Sequence, residues 1–284
     1  MMELPRIISS EQITDSIARL CIESCTVLPS PVATLLRDAD AIEPFEPARD
    51  VLSLIRKNAA IAAEGRVPIC QDTGMAVVFA EVGQDVRITG DTLENAVNAG
   101  VARGYTDGYL RKSIVRDPLR RENTGDNTPA VLHVRLVPGD RLTLTVSPKG
   151  FGSENMSRLA MLTPADGLAG VKHFVLETVR LAGANPCPPI MLGVGIGGTF
   201  EHVALLAKEA LVDMREGAHA DPFYDALERE LLADINALGI GPQGFGGLTT
   251  ALSVRIKAAP THIAGLPVAV NVGCHVTRHA SETI

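Results

Sequence analysis

Three cysteines, Cys70, Cys187 and Cys274, stand beside loop-forming or polar residues, in PICQDTG, NPCPP and NVGCH, rather than inside an apolar helical stripe. That placement makes them candidate ligands for something soft. A thiolate binds iron or zinc, and three thiolates are the number that leaves one metal of a four-iron cluster open to a substrate. Gln71 and Asp72 follow Cys70 directly, so a ligand at Cys70 would place an amide and a carboxylate in the same small volume. An acid next to a Lewis acid is what a dehydration needs.

Other polar segments could handle anions. LRKSIVRDPLRRENTGDNTPA holds Arg111, Arg116, Arg120 and Arg121 beside Asn123, Thr124, Asp126 and Asn127. A guanidinium is the natural bidentate clamp for a carboxylate, although such a segment is equally readable as a solvated charged loop. SPKGFGSEN sets Lys149, Ser153, Glu154 and Asn155 around two glycines, which suits anion binding by a backbone nest. Gly193, Gly195 and Gly198 match G-x-G-x-x-G between an apolar strand and a helix, with Asp213 twenty residues beyond the first glycine, as in a dinucleotide-binding turn. The acidic residue should then end a second parallel strand, and DMREGAHADP has no strand character. The better expectation is close backbone approach, with helix N-terminal amides facing an anion. The histidines read as structural in strand and helix at His133 and His173, and as bordering the last cysteine at His275 and His279. Cys21 and Cys25, one helical turn apart, read as small buried side chains.

The surrounding elements must position these loops. Residues 11 to 27 form a helix with Ser10 as N-cap and Ile13, Ile17, Leu20, Cys21 and Ile22 on one face. Further helices are expected in FEPARDVLSLIRKNAAIAAEG, GDTLENAVNAGVARGYTDGYLRKS, ADGLAGVKHFVLETVRLAG, TFEHVALLAKEALV and DPFYDALERELLADINALG. VPICQDTGMAVVFAEVG reads as an apolar strand interrupted by a polar loop, PIMLGVGIGG as a strand entering a glycine turn, TALSVRIKAA and LPVAVNVGC as strands, and VLHVRLVPGDRLTLTVSP as a β-hairpin about Pro-Gly-Asp. The fold class is mixed α and β, either α+β or α/β, with helices packed on short mixed sheets and the cysteine loops at one face. One domain over 1–284 is the simplest organisation, with 150 to 165 as the alternative boundary.

Composition bounds the function. With 284 residues, 46% apolar residues and a net charge of −7, the chain can bury a full core and has no basic stripe for nucleic acid. The N-terminal MMELPRIISSEQ lacks a signal-peptide pattern and no apolar run is long enough to span a bilayer. The expectation is a cytoplasmic protein with reduced thiols, no membrane and no nucleic-acid partner.

Six ordered segments then carry a family resemblance: CQDTG, the arginine-rich segment ending ENTGDNTP, PKGFGSENMSRLAML, NPCPPIMLGVGIGGT, GPQGFGGLTT and THIAGLPVAVNVGCH. From about residue 45 onward the chain resembles the N-terminal region of the oxygen-sensitive class I fumarate hydratases and the α subunit of L-tartrate dehydratase. The resemblance implies that Cys70, Cys187 and Cys274 ligate a 4Fe-4S cluster whose fourth iron binds the substrate. It implies that Gln71 and Asp72 contact the substrate, with Asp72 a general acid, that Arg111 binds a carboxylate, and that Gly150 and Gly152 form a substrate-facing turn. The family often has a third glycine where this chain has Phe151. His262, by its distance before Cys274, resembles a histidine that contacts substrate and joins Asp72 as catalytic.

In this family the base, a threonine, and further carboxylate clamps lie after the third cysteine, whereas this chain ends at Ile284. The resemblance therefore implies an α subunit completed by a separate β subunit, in an α2β2 assembly. The implied reaction is reversible hydration of fumarate, with tartrate dehydration as the alternative. A nicotinamide-dependent oxidoreductase and a zinc-binding scaffold are the rival classes.

Overall fold

The computed structural model describes residues 5–213 and 217–284. Met214, Arg215 and Glu216, on which part of the reading of DMREGAHADP falls, lie outside the described residues, as do the first four residues of the N-terminal segment. In chain order the elements are β1 (Arg6–Ser9), α1 (Ser10–Thr26), α2 (Ser30–Ile42), α3 (Glu46–Gly65), β2 (Met75–Gly83), β3 (Val86–Thr89), α4 (Leu93–Asp107), β4 (Val131–Val137), β5 (Leu142–Lys149), α5 (Phe151–Glu154), β6 (Arg158–Leu162), α6 (Gly167–Ala182), β7 (Ile190–Gly197), α7 (Phe200–Leu211), α8 (Pro222–Asn236), β8 (Ala251–Ala259), β9 (Leu266–Gly273) and β10 (Ala280–Thr283). The fold is α+β. The chain divides into two compact units: Met1–Pro29, Ala59–Gly150 and Arg278–Ile284 make the first, and Ser30–Asn58 with Phe151–Thr277 the second. No helix among the described residues is long and apolar enough to cross a membrane.

The first unit packs α1 and α4 on a four-stranded sheet in the order β10-β5-β2-β4. α1 starts one residue earlier than its pattern suggests. Ser9 is the N-cap, accepting from the Gln12 amide at 3.2 Å while the Gln12 side chain accepts from the Ser9 amide at 2.9 Å. This reciprocal capping box is worth about 1 kcal/mol. Ser10, expected as the cap, instead accepts from the Asp91 amide. The apolar face is as read: Ile13, Ile17, Leu20 and Cys21 are all buried in the core with Val97, Val101 and Tyr105 of α4.

The expected hairpin is not formed. β4 and β5 do not pair with each other, because β2 lies between them, parallel to β4 and antiparallel to β5. The reason is burial. β2 buries Ala76, Val78, Ala80 and Val82 and needs ladder partners on both edges, whereas β4 leaves Val134 and Leu136 exposed and serves as the edge. The Pro-Gly-Asp link carries the chain around the end of β2, where a Cβ on Gly83 would lie 2.3 Å from the Gly139 carbonyl oxygen.

The second unit is a three-layer arrangement around a sheet in the order β6-β9-β7-β8. Leu192 and Val194 of the central strand β7 join the core built with Val171 and Val175 of α6 and Leu227 and Leu231 of α8. Period-two alternation turns Gly193 and Gly195 to the other face, where α7 lies. A Cβ on Gly193 would sit 2.1 Å from the Ala207 carbonyl oxygen, and one on Gly195 would sit 2.3 Å from that of Val203. Gly198, the third glycine of the apparent dinucleotide fingerprint, is at φ +70° beside the His202 side chain, and the other two thus serve backbone contact between β7 and α7. That is the expected close approach, made by a helix rather than an anion. β7 has β8 as its parallel neighbour, and β8 enters the sheet only after α8.

Replacing Gly193 with Ala should therefore overpack this seam. A loss of about 1–3 kcal/mol is expected, read as a lower thermal midpoint. An unchanged midpoint would contradict the packing described.

Candidate functional site

In the first unit the CQDTG segment forms a tight turn between α3 and β2. The amide of Asp72 donates to Cys70 Sγ at 3.4 Å, and the amide of Gly74 donates to Asp72 Oδ1 at 3.0 Å. Gly74 has φ +74° and packs against the backbone of Lys149, 2.7 Å from where its Cβ would be, so only glycine fits. The turn's carbonyls are claimed by side chains. Tyr105 Oη donates to the oxygens of Thr73 (2.7 Å) and Gly74 (3.1 Å), and Asn127 Nδ2 donates to Gly74 (3.2 Å). The buried guanidinium of Arg278 donates to the carbonyl of Asp72.

Several predicted residues meet here. Gly150 abuts the Asp72 carboxylate, since its Cβ would lie 3.0 Å from Oδ2. Arg111 is joined to the turn through its backbone, with Thr73 Oγ1 donating to the Arg111 carbonyl at 3.0 Å, and Asn127 Oδ1 accepts from the Ser113 amide at 2.7 Å. The side chains of Arg111 and Gln71 are exposed. Arg116, Arg120 and Arg121 belong to a separate exposed turn organised by Asp117, which accepts from the amides of Leu119 and Arg120.

In the second unit Cys187 is exposed, at φ +56°, and Cys274 is half-buried just beyond the end of β9. The Val276 amide donates to Cys274 Sγ at 3.3 Å, repeating the pattern at Cys70. The two cysteine loops touch through His275, whose amide lies 3.3 Å and whose Nδ1 lies 2.9 Å from the Cys187 carbonyl oxygen. Gly152, in α5, is beside the same loop, with the Asn185 oxygen 3.8 Å from its Cβ position.

His262 is placed elsewhere. It lies on the exposed link between β8 and β9, beside Thr261, which donates to the Gly198 carbonyl. β7 and β9 run antiparallel with Met191 opposite Gly273 and Ile196 opposite Val268. Cys187 and Cys274 are therefore at one end of these strands and His262 at the other, about 25 Å away at ~3.3 Å per residue. Within one chain the histidine does not share a site with these two cysteines.

Burial acts on the two helix thiols. It pushes Cys25 up to about 11, opposed by the nearby Arg278 charge, and pushes Cys21 higher still. It also raises the Tyr105 phenol well above its ordinary range, keeping it a donor to the CQDTG carbonyls. The Lys208 ammonium is lowered by burial against its partner Glu154, and the His279 imidazole is lowered by burial. The donor chemistry fits a soft metal group. Cys70 and Cys274 each take a backbone N–H bond from the residue two ahead, and Cys187 presents its side chain in an exposed loop. Within either unit, no group of three or more His, Cys, Asp or Glu among the described residues is arranged to hold an ion.

Sequence patterns did not single out Tyr105, Arg278, Gln243 or Glu43. The one available signal was the glycine density of GPQGFGGLTT. Gly241, Gly244, Gly246 and Gly247 all have positive φ, and a loop so bent needs side chains to pair its backbone groups.

Comparison with known proteins bears on the same residues. The sequence profile of the family described as fumarate hydratase (Fumerase) matches residues 14–283. A Methanocaldococcus jannaschii protein, provisionally named L(+)-tartrate dehydratase subunit alpha, is 40% identical over 280 residues, covering 96% of this chain and 98% of its own length. The L(+)-tartrate dehydratase subunit alpha of Escherichia coli K12 is 29% identical over 273 residues, covering 95% of this chain and 90% of its own. A match through nearly the whole chain makes this protein an enzyme of the hydro-lyase class. More particularly, the chain belongs to the fumarate hydratase (Fumerase) family.

Thiol chemistry tests the site geometry directly. Iodoacetamide at pH 8 should modify Cys187 first, Cys70 and Cys274 more slowly, and Cys21 and Cys25 only after denaturation. At a pKa of about 11, roughly one Cys25 in a thousand is thiolate at that pH. Peptide mass spectrometry reads the order, and labelling of Cys25 in the folded chain would contradict its burial.

Proposed function

We propose that this chain is the α subunit of an iron-sulfur hydro-lyase that interconverts a 2-hydroxy dicarboxylate and its dehydrated product. The observation that most supports this is the pair of N–H···S turns at Cys70 and Cys274, found in a chain that matches the family throughout. Cys70, Cys187 and Cys274 would hold the 4Fe-4S cluster, and residues 1–284 would act as one catalytic part. When bound, such a cluster supplies an iron that polarises the C–O bond of the departing hydroxyl.

The chain's own residues supply the rest of this wall. Asp72 is the proposed general acid, its carboxylate oriented by the Gly74 amide and given room by Gly150. Gln71 and Arg111 present an amide and a guanidinium to the substrate's polar groups, the latter suited to a bidentate carboxylate contact. Gly150 and Gly152 allow close backbone approach at either end of the KGFG turn. His262 enters by resemblance alone, and its place at the far end of β7 keeps it out of a pocket made by Cys187 and Cys274 of the same chain.

Fumarate hydration to (S)-malate is the first substrate reading, supported by the family's description. Tartrate dehydration to oxaloacetate is the second, favoured by the names of the two relatives. The same names support a separate β subunit, for which an α2β2 assembly and a cytoplasmic location are proposed. Anaerobic co-expression with the neighbouring reading frame, followed by turnover assays on malate and L-tartrate, separates the two. The α chain alone, reconstituted with iron and sulfide, should take up the brown chromophore yet turn over neither substrate. Full activity without a partner would sink the two-subunit reading.

Asp72→Asn keeps an oxygen to accept from the Gly74 amide and removes the acid. The expected result in the assembled enzyme is a 10²–10⁴-fold fall in kcat with the visible spectrum unchanged. Retention of more than a tenth of the activity would rule out Asp72 as the acid.

A further inference from the structure

Two successive carbonyls, those of Cys187 and Pro188, are each approached by two nitrogen donors from a single residue. His275 reaches the Cys187 oxygen with its amide at 3.3 Å and with Nδ1 at 2.9 Å. Gln243 reaches the Pro188 oxygen with its amide at 2.8 Å and with Nε2 at 2.7 Å. A carbonyl oxygen only accepts, so Nδ1 of His275 carries its proton, and the Gln243 amide is oriented with nitrogen toward Pro188. The 3.2 Å approach of Gln243 Nε2 to His275 Nδ1 is then a contact between two donors, both directed at the Cys187–Pro188 backbone.

Gln243 makes this arrangement from an unfavourable conformation. It sits at φ 52°, ψ 18°, in the left-handed region where glycine is at home, among glycines that are likewise left-handed. At a purely structural turn a glycine here would remove that strain. The side chain's contribution is its hold on Pro188, directly after the most exposed of the three candidate ligands, while His275 directly follows another of them.

We infer that Gln243 and His275 are positioning residues: together they form a carbonyl clamp that sets the Cys187 loop against Cys274 before any metal group is bound. The inference rests on the proposed role of these cysteines as ligands. It also makes a claim that stands in the metal-free chain, that the clamp holds the 185–190 segment in place.

Gln243→Gly and Gln243→Asn test it. Both tolerate the left-handed backbone and keep the backbone N–H to Pro188, but glycine has no side chain to reach Pro188 and that of asparagine is one methylene too short. Each should leave the thermal midpoint of the metal-free chain within about 3 °C, with hydrogen exchange in peptides covering 185–190 about three- to tenfold faster and β2 unaffected. After anaerobic reconstitution, the iron-sulfur chromophore of both variants should bleach in air several-fold faster than that of the parent. Unchanged exchange at 185–190 would overturn the clamp, as would a collapse of the midpoint in both variants, which would make Gln243 a general structural residue. If the parent chain takes up no iron and sulfide, the proposed function fails, while the exchange result still decides the clamp.

Discussion

Loops that carry the candidate ligands have backbone carbonyls and amides with no ladder to pair with, and the structure depends on side chains that reach in to satisfy them. Tyr105 and Asn127 hold the carbonyls of Thr73 and Gly74, and Arg278 holds that of Asp72. In the second unit Gln243 and His275 hold Pro188 and Cys187. The buried carboxylate of Glu43 accepts from the amides of Phe45 and Leu248, tying down the glycine loop from which Gln243 projects. Each such bond is worth only about 1 kcal/mol, but a buried group left unpaired costs more.

Burial also separates the two helix cysteines from the three in the loops. Cys21 and Cys25 are wholly buried in α1, where desolvation keeps them thiols. The three loop cysteines keep partial or full exposure, and two of them receive backbone N–H bonds. A nearby buried network of Glu154, Lys208, Asn271 and Ser157 joins α5, α7 and β9. It fastens the turn that follows Gly150 and the strand that ends just before Cys274.

Most long elements were legible because their periodicity reports burial. α1, α3, α6 and α7 lie within a residue or two of their patterns, whereas α8 ends at Asn236 rather than at 239 and α4 at Asp107 rather than at 113. β1, β3, β6 and β10 are only four or five residues long, too short for a period to show, so they went unread, as did α2. The misread hairpin has a different cause. Alternation in β4 and β5 identified two strands correctly, but which edges pair depends on β2, which arrives from some fifty residues earlier in the chain and is paired on both edges. The G-x-G-x-x-G pattern misleads for a related reason, since small residues needed for helix contact look the same as those needed for a phosphate.

By itself, the sequence determined which residues can do chemistry: thiols, a carboxylate and arginines in ordered segments whose composition precludes regular structure. It also determined the helices, because a 3.6-residue period is a local property. Tertiary structure alone decided the partners. That Arg278 grips residue 72, that Gln243 and His275 grip neighbouring carbonyls at 188 and 187, and that His262 lies at the far end of β7 from the cysteines that follow it all depend on strand order and chain reversal. These contacts join residues dozens to hundreds of positions apart, and no local pattern encodes such a distance.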